Sequence, residues 1–157
     1  MIKQPIQIGD LCPIFNLPNS ENKQIKISDY LGKKILVIFF YPKDNTPGCT
    51  KEVCAFRDAY EDFLELGCEV FGISSDQISA HMEFEKKYQL PYPLLSDSQK
   101  IVRSQFGVPA NLFGLIPGRV TYIIGLDKRV AGIYNSQLNP IDHIEKSLES
   151  VRQLQLA

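Results

Sequence analysis

The chain has 157 residues, 44% of them hydrophobic and 22% charged, with a net charge of −1; a chain of that size buries roughly two thirds of its unfolded surface in one core and is neither disordered nor fibrous. A near-neutral balance with no block of either sign argues against nucleic acid or an anionic membrane as partner. The four cysteines, Cys12, Cys49, Cys54 and Cys68, are too few and too irregular for a secreted disulfide scaffold and lack the close pairs of a zinc site, so no metal or cofactor is expected.

In chain order, Met1 to Gln7 contain neither the apolar stretch of a signal peptide nor the Arg- and Ser-rich character of a transit peptide. They read as cytoplasmic, with a processed chloroplast form as the alternative. Leu17-Pro18-Asn19-Ser20-Glu21-Asn22 is a turn between two short strands, with Ile25 and Ile27 alternating against polar neighbours. Residues 28–32 form a short helical turn closed by Gly32. Next comes Ile35-Leu36-Val37-Ile38-Phe39-Phe40-Tyr41, too short for a membrane span and typical of a strand buried on both faces.

Pro42 ends that strand, and Thr46 followed by Pro47 signals a helix start, a hydroxyl to cap the orphan amides and a proline at the first helical position. Cys49 then falls in the first turn, where unpaired N–H groups and the helix dipole favour a thiolate and lower the pKa below its usual ~8.5. Val53, Phe56, Tyr60, Phe63 and Leu64 share one side of the helix. Gly67 stops it, and residues 69–74 make the next strand, completing a βαβ unit with parallel pairing.

Ser79 caps a helix running to about Tyr88, which Pro91 and Pro93 end. Leu94 to Asp97 are extended, residues 101–106 form a short helix, and residues 110–118 are an exposed loop. Residues 119–124 and 129–134 form an antiparallel hairpin. Pro140 opens the last helix, striped by Ile141, Ile144, Leu148, Val151 and Leu154. His81 and His143 are expected as solvated helix residues, and Cys12 and Cys68 as unreactive thiols.

Pro42, Thr46 and Cys49 are spaced as in the active-site pattern of the peroxiredoxins, and Cys54 five residues on resembles the peroxiredoxin Q group, also called bacterioferritin comigratory protein. Gly9-Asp10, Pro13, Phe56-Arg57-Asp58, Gly72-Ile73-Ser74, Leu94-Leu95-Ser96-Asp97 and Gly107-Val108-Pro109 extend the likeness along the chain. Residues 111–119 resemble its plant and cyanobacterial branch. Cys12 departs from the alanine usual at that position and adds a thiol without a role.

The resemblance implies one thioredoxin-like α/β domain over residues 1–157, with an N-terminal β-hairpin extension and a mixed central sheet flanked by helices. It implies a thiol-dependent peroxidase acting on hydrogen peroxide and organic hydroperoxides. Cys49 is then the nucleophile, Thr46 and Arg119 hydrogen-bond thiolate and peroxide, Pro42 shields the thiolate, Glu52 orients Arg119 or Thr46, and Cys54 resolves the sulfenic acid. Thioredoxin or a similar dithiol restores the thiols, and the absence of a C-terminal resolving cysteine favours a monomer. If Cys49 and Cys54 bond, the helix must unwind locally, because residues five apart on a helix lie roughly 8 to 9 Å from each other and a disulfide spans about 4.4 to 6.8 Å.

Three rivals remain. A thiol-disulfide oxidoreductase requires C-x-x-C spacing, which this chain lacks. A redox-sensing binding module would use the same switch without catalytic cycling. A cysteine hydrolase needs a histidine base that no motif places.

Overall fold

The computed structural model describes residues 5–111, 116–136 and 139–156. Strand β1 (Asn16–Pro18) pairs antiparallel with β2 (Gln24–Lys26), Leu17 opposite Ile25. The Asn19 side chain closes the turn by accepting from the Glu21 and Lys23 amides, each at 3.0 Å. A short 3-10 turn, Ile27–Asp29, leads from this hairpin toward the central sheet.

Strand β3 (Ile35–Phe40) is buried on both faces and sorts its side chains by parity. Leu36, Ile38 and Phe40 pack with Phe15, Leu17 and Ile27 of the N-terminal segment. Ile35, Val37 and Phe39 pack with Val53, Phe56 and Phe63 of helix α1 (Pro47–Glu65). The period of two along β3 thus serves two cores at once. Phe39 lies flat on Phe56, their ring centroids 4.4 Å apart, and each such buried ring contributes about 1.5 to 3 kcal/mol. Of the α1 stripe, Val53, Phe56 and Phe63 are fully buried, whereas Leu64 is 38% exposed because it falls past the edge of the contact face.

Strand β4 (Cys68–Ser74) runs parallel to β3, and β5 (Leu94–Ser96) parallel to β4. Helix α2 (Ile78–Tyr88) crosses between them, and α3 (Ile101–Phe106) follows. The predicted Ser79 cap is replaced by Gln77, which precedes the helix without a side-chain cap bond. The expected loop over 110–118 is flanked by a two-residue antiparallel ladder, β6 (Ala110–Asn111) against β7 (Ile116–Pro117), and residues 112–115 lie outside the described residues. The flanks approach backbone to backbone because Gly118 has no side chain: a Cβ there would stand 2.1 Å from the Pro109 carbonyl oxygen.

Strands β8 (Val120–Ile124) and β9 (Val130–Asn135) form the expected hairpin, with a register shift between Ile123 and Ile124. β8 pairs antiparallel with β3, so the sheet order is β5-β4-β3-β8-β9 and the sheet is mixed. Helix α4 (Asp142–Leu156) starts two residues after Pro140 and packs on α1, β8 and β9. A five-stranded mixed sheet flanked by helices, with an added N-terminal hairpin, is the thioredoxin-like architecture expected. Among the described residues, no helix is long and apolar enough to cross a membrane.

Candidate active site

β3 delivers the chain to the site through Tyr41, whose amide donates to the Ile73 carbonyl. The loop that follows is pinned from below. The Tyr41 hydroxyl donates to Asp44 Oδ1 at 2.5 Å, the Asp44 amide donates to Asp76 Oδ2 at 2.8 Å, and Asp44 Oδ2 lies 2.6 Å from His81 Nδ1. His81 also reaches the Leu95 carbonyl through Nε2 at 3.0 Å. Far from being solvated, His81 is fully buried and ties α2 and β5 to the loop. Asp44, Asp76 and His81 share one small space, but these bonds already engage their facing atoms, so the cluster is a structural knot.

Pro47 occupies the first position of α1 and Cys49 the third, as the cap signal predicted. Thr46 stands at the N-cap, yet its hydroxyl donates to the Lys43 carbonyl at 2.8 Å and caps no helix amide. Cys49 is 1% exposed. Arg119, immediately before β8, is brought to it across the β3–β8 pairing: Nη2 lies 3.4 Å from the Cys49 sulfur, and Nη1 donates to Glu52 Oε1 at 2.9 Å. Glu52 sits one turn after Cys49, with no exposed surface. Burial pushes its carboxyl up to about 8, against the opposing pull of Arg119.

The structure therefore brings Cys49, Glu52 and Arg119 into one buried cluster. Pro42 and Thr46 are half-buried in the loop that leads to it. Cys54 is half-exposed on the same helix, and burial raises its pKa with Arg57 opposing. Cys12 and Cys68 are buried, and burial pushes both thiols up to about 12, which holds them protonated and inert.

Gly48, His143 and Thr121 escaped the sequence reading as parts of the site. Gly48 lies so close to Arg119 that a Cβ there would stand 3.1 Å from Nη2. His143 is 1% exposed rather than solvated; Nδ1 lies 2.7 Å from the Thr121 hydroxyl and 3.5 Å from Glu52 Oε2. Polar Ser147 and Ser150 are buried on the same helix, so the hidden face of α4 is wider than its apolar stripe. Thr121, mid-strand in β8, carried no signal beyond β-propensity.

The AhpC/TSA family model matches residues 8–133. Peroxiredoxin Q, chloroplastic, of Suaeda salsa is 47% identical over 146 residues, covering 93% of this chain and 68% of the relative. The chain belongs to the peroxiredoxin Q group of the AhpC/TSA family. Peroxiredoxin Q, chloroplastic, of Gentiana triflora is 48% identical over 141 residues, and the match spans 90% of this chain and 64% of that relative's own length. Among solved structures, peroxidoxin BcpB of Mycobacterium tuberculosis superposes with a TM-score of 0.87 at 36% identity, over 94% of this chain and 97% of that one. A superposition of that extent shows the same overall fold.

Proposed function

We propose that this peroxiredoxin reduces hydrogen peroxide and organic hydroperoxides with Cys49, and that one domain over residues 1–157 is competent as a monomer. The observation that carries the reading is the Arg119 guanidinium 3.4 Å from a sulfur in the first turn of a helix. The thiolate sulfur attacks one peroxide oxygen and gives up two electrons. The oxygen–oxygen bond breaks, Cys49 becomes a sulfenic acid, and the departing alkoxide or hydroxide takes a proton. Arg119 stabilises the charge on both the attacking sulfur and the departing oxygen. Thr46 and Pro42, in the loop entering the helix, position and shield the thiolate.

Cys54 then resolves the sulfenic acid, forming the Cys49–Cys54 disulfide and releasing water. Both cysteines belong to one continuous helix, so the intact helix holds them too far apart and its first turns must open. That end opens at low cost, since Pro47 contributes no amide and Thr46 caps none. Cys54 is favoured over Cys12 and Cys68 because those two thiols are buried. Thioredoxin or a similar dithiol returns two electrons by exchange on the exposed disulfide. The relatives named chloroplastic support the plastid alternative over the cytoplasmic one.

Peroxide consumption coupled to thioredoxin, its reductase and NADPH tests this. Cys49→Ser is expected to be inactive, and Cys54→Ser to react once and then turn over at least about tenfold more slowly. Full thioredoxin-linked turnover in Cys54→Ser would assign resolution to another thiol. Oxidation of the wild type without cycling would make the chain a redox sensor.

A further inference from the structure

Behind the Cys49 site lies a buried polar chain that the reaction as written does not use. His143 Nε2 lies 2.9 Å from the Ser136 carbonyl oxygen, which can only accept, so Nε2 carries a ring proton. In the neutral ring Nδ1 is then a lone pair, and the Thr121 hydroxyl at 2.7 Å donates to it. The next polar atom facing Nδ1 is Glu52 Oε2 at 3.5 Å, a buried oxygen with no hydrogen-bond partner among the described residues. The other oxygen of the same carboxyl accepts from Arg119, and Arg119 reaches Cys49. A continuous run of side chains thus connects α4 to the reactive sulfur.

We propose that His143, with Thr121, is a positioning residue for Cys49 that acts through Glu52: it holds the carboxyl in place and keeps a proton on Oε2, so that the charge of Arg119 is directed to the sulfur. This rests on Cys49 being the peroxide-reducing thiol.

The electrostatics follow from one cation facing two acids. Arg119 stands between Cys49 and Glu52, and two buried anions sharing a single guanidinium each receive less of its field. With its Nδ1 lone pair filled by the Thr121 hydroxyl, the neutral His143 ring turns no N–H toward Oε2. A carboxylate there would be buried without a donor, whereas a carboxylic acid, whose unprotonated Oε1 still accepts from Arg119, carries no such cost. Burial acts in the same sense on both partners, raising Glu52 to about 8 and lowering His143. The charged and titratable groups around the pair are Arg119, Cys49 and the Tyr92 phenol on the Glu52 side, and Arg119 and Asp142 on the His143 side. Glu52 ionises as pH rises through about 8, Arg119 is then shared, and attack on peroxide slows. The ring also explains why a histidine is buried in an amphipathic helix that apolar packing alone would satisfy.

The test is the rate constant for single oxidation of reduced Cys49 by hydrogen peroxide, followed across the neutral and alkaline range. Wild type, His143→Gln, His143→Asn and Thr121→Val are compared, each with Glu52 and with Glu52→Gln. Gln places a polar group near the Nε2 position and preserves the tie to Ser136, whereas Asn places one near Nδ1. In the wild type the rate falls above about pH 8. Glu52→Gln removes that decline. His143→Gln and Thr121→Val slow oxidation about tenfold at neutral pH and move the decline to lower pH, and His143→Asn recovers most of the rate. With Glu52→Gln in place, the His143 and Thr121 substitutions add nothing further.

An equal loss in both backgrounds, or recovery by Gln instead of Asn, makes His143 a structural tie to Ser136 and overturns the proposal. So does an unchanged rate in every variant. A variant that fails to fold leaves the others to carry the same comparison. If wild-type Cys49 is not oxidised by peroxide at all, the peroxidase reading fails first, and the two failures are distinct.

Discussion

In the proposed reaction Cys49 and Arg119 act as a pair across the 3.4 Å that separates Nη2 from the sulfur. Gly48 shows how tight that space is. A methyl group there would stand 3.1 Å from Arg119 Nη2, and Arg119 cannot swing aside without releasing Glu52. In an exposed helix the change Gly48→Ala stabilises by about 1 kcal/mol. Here the expected outcome is an unchanged or raised Tm together with a rate of Cys49 oxidation about tenfold lower. A stopped-flow measurement on the reduced protein decides it, and a normal rate would show that the guanidinium has room to move.

At the scale of elements, α1 is two structures in series. Its first turns begin at a proline and an uncapped threonine, whereas Phe56 and Phe63 are buried on the central sheet, Phe56 stacked on Phe39. Oxidation to the Cys49–Cys54 disulfide is therefore expected to open the helix from its start to about Cys54 and leave the remainder folded. Amide hydrogen exchange of reduced and oxidised protein reads this directly. Protection is lost over residues 50–54 on oxidation and retained from Phe56 onward. Uniform protection in the oxidised form would rule out the opening. The knot of Tyr41, Asp44 and His81 sets the other limit, since it anchors the loop to β4, β5 and α2.

For the whole molecule, the buried Glu52 carboxyl links stability to pH. Its value in the fold, about 8, lies above the ordinary 4.5, so the folded chain binds that proton more tightly than the unfolded chain. The contribution is complete below about pH 4.5 and is lost as pH rises through about 8. Over that window the loss approaches about 1.4 kcal/mol per pH unit. The Tm of reduced wild type relative to Glu52→Gln is expected to fall as pH is raised through the window. A difference independent of pH would mean that Glu52 is ionised throughout.

The β3 run, the stripe of α1, the helix start at Thr46 and Pro47, and the C-terminal hairpin were legible because each is local: periodicity and turn chemistry act within a few residues. Cys49 at the third position of α1 followed from the same rules. The hydroxyl cap expected of Thr46, by contrast, is not made, its hydroxyl turning to the Lys43 carbonyl. The roles of Arg119 and Glu52 came from resemblance, and their meeting needed the antiparallel pairing of β8 with β3, which joins residues 67 apart along the chain. His81 and His143 were misread as solvated because a polar residue on a helix gives no sign of whether its face is covered. What covers His81 is the loop after β3, and what covers His143 is the sheet with Glu52 behind Arg119. Burial of a polar group depends on partners supplied by other elements, and only the assembled fold brings those partners within hydrogen-bond distance.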